Sequence, residues 1–120
     1  MYKMEVDPVK KVFYIYAAGF FSMEEGTRFI AEYMEKTGTI SPNQYNLIVD
    51  SKEVKPSAPD VANALQELMK LYMNVPFKKR FIVKLDSAIG MSQVNRLSKE
   101  IPGFDTIVFV DSSEQAHTML

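Results

Sequence analysis

Apolar and polar residues alternate along the start of the chain, with Tyr2, Met4 and Val6 on one side and Lys3 and Glu5 on the other. Period two is the signature of a half-exposed strand. Asp7-Pro8 then initiates a turn, and Val12 to Ala18 is dense in β-branched and aromatic residues, so the two segments predict an antiparallel hairpin. Lys10 and Lys11 fall near its turn, where lysine keeps a sheet edge soluble. After Gly19-Phe20-Phe21 the period changes. Ser22-Met23-Glu24-Glu25 has the form of a capping box, and a helix follows with Phe29, Ile30, Tyr33 and Met34 on its inner side and Glu32, Glu35 and Lys36 mostly opposite. Gly38 is placed to end it in the left-handed conformation.

A loop over Thr39 to Asn43 leads to Leu47-Ile48-Val49, a short apolar run that ends on Asp50 and reads as a strand buried on both faces. A polar loop from Ser51 leads to Ser57-Ala58-Pro59-Asp60. Proline is at home in the first turn of a helix, and Asp60 complements the helix dipole there. Val61, Leu65, Leu68 and Tyr72, with Ala64 and Met69 beside them, predict the buried stripe of this second helix. Lys79 to Asp86 is the next apolar run, Ser87 to Gly90 a loop, and Met91, Val94, Leu97 and Ile101 mark a third helix closed by Pro102-Gly103. Thr106 to Asp111 is the last strand, and Ser112-Ser113-Glu114-Gln115 caps a short final helix. The order β-β-α-β-α-β-α-β-α predicts an α/β fold. Its mixed sheet has an N-terminal antiparallel hairpin and parallel strands joined by right-handed βαβ crossovers, with helices packed on it.

At 120 residues and 47% hydrophobic, the chain has material for one core and is read as a single domain over 1–120. A net charge of -1 argues against nucleic acid or an anionic membrane surface as the main partner. Zero cysteines exclude disulfides and thiolate chemistry, which fits a reducing compartment. Met1 to Asp7 has no apolar signal core, and Val12 to Met23, the longest nearly uncharged stretch, is too short to span a bilayer. The expectation is a soluble cytoplasmic protein with no membrane span.

Little in the sequence points to catalysis. Asp50, Asp86 and Asp111 each end a predicted strand and together would suit a divalent cation, but aspartate at such places more commonly caps a loop, so no metal is assigned. Asp50 as a receiver-type phosphoacceptor would need an acidic pair at the end of the first parallel strand, where the chain has Ala17-Ala18-Gly19. The one histidine, His117, lies at the C-terminus, and no nucleophile-elbow, dinucleotide or P-loop motif is present. No catalytic residue and no cofactor is expected. Lys78-Lys79-Arg80, with Lys84, reads as the solvated start of a strand. Most of Met23, Met34, Met69, Met73 and Met91 read as core fillers, whereas Phe20, Phe21, Tyr72 and Phe77 sit at element ends, where burial is not guaranteed.

The order of elements, with Gly-Phe-Phe-Ser-x-Glu-Glu over Gly19 to Glu25 and Leu-Ile-Val-Asp over Leu47 to Asp50, resembles the STAS or anti-sigma-factor-antagonist-like proteins. These are small bacterial domains, some grouped near the Sec14-like lipid-binding proteins, and the resemblance covers Tyr2 to Met119. In the regulatory members, the loop after the central strand carries a serine or threonine phosphorylated by a kinase-type partner. The matching place is Val54 to Asp60, where Ser57 is the only hydroxyl and the flanking acidic residue and glycine are missing. Ser57 is read here as a helix N-cap, with phosphoacceptor as the alternative. The resemblance implies a non-enzymatic interaction domain that binds another protein, or a second copy, through the loop Ser51 to Asp60, with Lys55, Ser57 and Asp60 as candidate contacts. The second reading is a carrier of a small apolar ligand or lipid between sheet and helices. The third is a structural subunit that assembles through the hairpin edge.

Overall fold

Pairing starts locally, in the hairpin. β1 (Tyr2–Asp7) and β2 (Val12–Gly19) run antiparallel from Tyr2 opposite Ala17 to Asp7 opposite Val12 in a computed structural model that describes residues 1–120. The turn is closed by Asp7, whose Oδ1 accepts from the amides of Lys10 and Val9 at 3.0 Å each. Chiefly the Lys10 bond holds this carboxyl below the usual aspartate range. β3 (Asn46–Val54), β4 (Lys79–Val83) and β5 (Val108–Val110) then add in parallel, giving one mixed sheet in the order β1-β2-β3-β4-β5. With α1 (Met23–Thr37), α2 (Pro59–Asn74), α3 (Ala88–Ser98) and α4 (Ser113–Thr118), this is the α/β architecture that the hydrophobic pattern predicts.

Strand alternation splits the core in two. Phe13, Ile15, Leu47, Val49 and Ile82 face α1, α2 and α3, where they meet Phe29, Tyr33, Met69, Tyr72 and Val94. Val12, Ile48, Phe81, Val83 and Val110 face the other way and pack against Ala116 of α4. The central strands are therefore buried on both sides, which is why β3 and β4 contain the continuous apolar runs Leu47–Val49 and Phe81–Val83.

Several boundaries differ from the sequence reading, each for a local reason. β3 continues past Asp50 to Val54, because Ser51 turns inward and donates its hydroxyl proton to the Val83 carbonyl at 2.6 Å while Lys52 and Glu53 stay exposed. α3 begins at Ala88: Ser87 Oγ accepts from the Gly90 amide at 3.0 Å, so the expected loop is the first helical turn. β5 has three residues only, since Gly103 at φ 79° leads into a 3-10 turn over Phe104–Thr106. Gly38 caps α1 at φ -71°, in the right-handed region, with its amide bonded to the Met34 carbonyl. Half of the capping box at Ser22 is present. Its Oγ accepts from the Glu25 amide, but the Glu25 carboxylate lies 2.7 Å from the Met1 amino group. Among the methionines Met69 is buried, whereas Met23 and Met34 are exposed and not core residues.

Candidate functional site

The N-terminal halves of α1 and α3, and α2 along most of its length, stand over the later residues of β2, β3 and β4 without filling the space between. The result is a cleft of about 100 Å³. Its walls are Gly26 and Ile30 from α1, Val61, Ala64, Leu65 and Leu68 from α2, and Gly90, Gln93 and Val94 from α3, over Ala17, Val49 and Ile82 of the sheet. Leu65 and Leu68 are half-buried rather than fully covered, because the stripe they belong to borders this space. Gly26 contributes directly, since a Cβ there would meet no atom within 4 Å. Gly90 has a different role: a Cβ would lie 2.9 Å from Leu85 Cδ2, so glycine lets α3 approach the end of β4. The floor includes Tyr72, whose hydroxyl is pushed well above its ordinary pKa by burial and, secondarily, by Tyr33.

At the mouth the chain leaves β3 and enters α2. The Ser57 amide donates to Gln93 Oε1 at 2.9 Å, and Gln93 Nε2 donates back to the Ser57 carbonyl at 3.0 Å. This two-bond bridge ties the loop to α3. It also overturns the N-cap reading of Ser57: Pro59 starts the helix, Ala58 takes the cap position, and no side chain caps α2. The half-buried Ser57 hydroxyl makes no hydrogen bond within the chain. Lys55 is exposed, forms no ion pair, and is the one charged side chain in the cleft wall. Asp60 is exposed in the first turn of α2 and lies outside the wall. The structure thus brings Lys55 and Ser57 to one opening and leaves Asp60 beyond it.

The other candidate residues do not converge. Asp50 lies within β3 on the α4 side of the sheet and accepts from the Tyr14 hydroxyl at 3.0 Å. Burial first, and then the Asp50 charge, push the Tyr14 hydroxyl up to about 12. On the same face the Tyr16 hydroxyl donates to Glu53. Asp111 pairs at 3.6 Å with Lys84, and nowhere do three His, Cys, Asp or Glu residues gather closely enough to hold a metal ion. Arg80, read from sequence as a solvated base, is a helix cap: its guanidinium donates to the carbonyls of Tyr72, Val75 and Met73 at 2.7, 2.8 and 3.3 Å. His117 Nδ1 lies 2.8 Å from the Ser113 carbonyl, within α4. The cleft has the means to enclose an apolar group, and the Ser57 hydroxyl in its wall is not hydrogen-bonded to any base.

Gln93 and Gly26 are the cleft residues that sequence reading missed, and Leu65 and Leu68 were read as part of a buried stripe rather than as cleft wall. The usable signal was a glycine in the first turn of an otherwise well-formed amphipathic helix. No protein-family model matches the chain, and no curated protein matches it. No helix is long and apolar enough to cross a membrane.

Proposed function

We propose that the protein is a non-enzymatic binding protein, of the STAS-like or Sec14-like kind that its order of elements resembles, and that it takes a small, largely apolar ligand in this cleft. The observation that carries the reading is the cleft itself, a space walled by aliphatic side chains and backed by the carboxyl ends of parallel strands. Open α/β sheets place their ligand sites at those ends, and pockets of this composition are the usual small-molecule sites. The size suits a short chain of a few carbons or a xenon atom, since the space is smaller than the apolar cavity of roughly 150 Å³ that takes benzene.

Xenon gives a direct test. Dissolved xenon is expected to shift the methyl resonances of Leu65, Leu68 and Val94, and Gly26→Leu, which projects a side chain into the open space, is expected to abolish those shifts. Methyl groups that ignore xenon in the parent protein would defeat this reading.

A second reading keeps the same opening but gives it a protein partner. It is favoured by Phe20, which is 73% exposed beside Phe21 of the cleft wall. In this reading the partner inserts an apolar side chain, and Lys55 and Phe20 flank it. Capture of the same proteins by the parent and by a Phe20→Ser, Lys55→Glu variant would count against it.

A further inference from the structure

A second, polar concavity adjoins the cleft. Ser57 and Gln93 belong to the walls of both, so their bridge is the partition between them, and Ser92 and Arg96 lie on the far side. The charges around the two spaces are one-sided. Lys55 and Arg96 are the only charged side chains in either wall, both are cations, and neither has an ion-pair partner. Yet the chain as a whole has 15 acidic and 14 basic residues. α3 itself has no acid; Glu100, just past its end, is engaged by Gln66 Nε2 at 3.2 Å, and Asp60 is outside both walls. The hydroxyls of Ser57 and Ser92 have no acceptor within the chain, so each is free to donate.

We infer that the cleft is built for a short amphiphilic anion, with its apolar tail in the cavity and a carboxylate or phosphate head held at the Ser57–Gln93 partition by Lys55 and Arg96. The inference rests on the ligand-binding reading above and deepens it by naming the class of ligand. Hydrogen bonds from cationic side chains to an anionic head are about twice as strong as neutral ones. The cations have no partner to give up when the head arrives. The cavity, smaller than the roughly 150 Å³ that accepts benzene, limits the tail to about four or five carbons.

The test is a set of NMR titrations of the folded protein with pentanoate, butyl phosphate, 1-pentanol and pentylamine. The readouts are the methyls of Leu65 and Leu68 for the tail and the amides of Ser57 and Arg96 for the head. The anions are expected to bind at least about tenfold more tightly than pentanol, and pentylamine more weakly still, which is the discrimination expected of one net charged hydrogen bond. Comparison of the two anions tells a carboxylate site from a phosphate site. Lys55→Gln with Arg96→Gln, both at exposed positions and so compatible with folding, is expected to reduce anion affinity to that of pentanol and leave pentanol unchanged. Equal binding of pentanol and the anions would overturn the head-group assignment while the apolar cleft stands. Anion preference that survives in the double variant would also overturn it. If none of the four probes moves the Leu65 and Leu68 methyls, the cleft reading and the anion inference fall together.

Discussion

At the amino ends of the parallel strands, Phe13 meets Phe77 edge-on at 6.1 Å and Tyr33 at 5.9 Å, and Tyr33 in turn meets Tyr72 at 5.5 Å. The Tyr33 hydroxyl donates to the Leu71 carbonyl at 3.1 Å, and the Arg80 fork closes the end of α2 just beyond. At the carboxyl ends, the same sheet face is lined by Ala17, Leu65, Leu68 and two glycines and retains a cavity. Both ends draw on the same sheet and helices, and both carry rings, since Phe21, Phe29 and Phe104 also line the cleft. The difference lies in what stands between the layers: rings close on one another at one end, and Ala17 and Gly26 leave room at the other. A close-packed interior tolerates few voids larger than a water molecule, and concentrating one at the strand ends confines the loss of stability to the place where a ligand would restore it.

The sharpest way to break this comparison is to truncate one residue at each end. Phe13 has no exposed surface, and Phe13→Ala is expected to cost about 3–5 kcal/mol, the usual range for an aromatic lost from a packed core. Leu65 already borders empty space, so Leu65→Ala is expected to cost only about 1–2 kcal/mol, since less contact is lost and no new cavity has to be opened. Chemical denaturation of the two variants reads this difference. Equal losses would mean that the carboxyl end is as well packed as the amino end and that the cleft closes in solution.

Arg80→Ala probes the closed end more gently. Three carbonyls at the end of α2 would lose a charged donor, at a half-buried site, and a cost of about 2 kcal/mol is expected. Amide exchange should quicken most in the last turn of α2 and little around Val61. Uniform acceleration along the whole helix would show that the cap does not act locally.

How far these features were legible in the sequence depends on the range of the interaction. Alternation at Tyr2 to Val6 and helical spacing at Phe29 and Tyr33 are local periodicities, and they placed the hairpin, the parallel strands and the helices in the right order. Met34 failed because a residue on the edge of a helical stripe is buried only if its neighbour reaches it. Ser57 failed because the bond that decides its role comes from Gln93, 36 residues away. Arg80 looked like one base among several until α2 ended within reach of its side chain. The cleft was least legible of all. It depends on the gap between α2 and the sheet, which the residues on either side set only in combination.

The smallest expected effect concerns Gly26, and it distinguishes a void that is tolerated from one that is maintained. Glycine in a helix is destabilising by roughly 0.5–1 kcal/mol relative to alanine. Gly26 has no backbone need that would justify this, since its φ is not positive and a Cβ would touch nothing within 4 Å. Gly26→Ala is therefore expected to raise stability by about 0.5 kcal/mol or slightly more. Gly90→Ala is the natural contrast, because its Cβ would press on Leu85 Cδ2 at 2.9 Å, so Leu85 has to shift and the helix gain is expected to be largely offset. Thermal denaturation of both, with xenon binding measured in parallel, tests the pair. If Gly26→Ala is more stable yet takes up less xenon, the glycine preserves volume in the cleft at the expense of the helix. Should the alanine instead destabilise the protein, α1 lies closer to the sheet than the cleft requires, and the contrast between the two ends is lost.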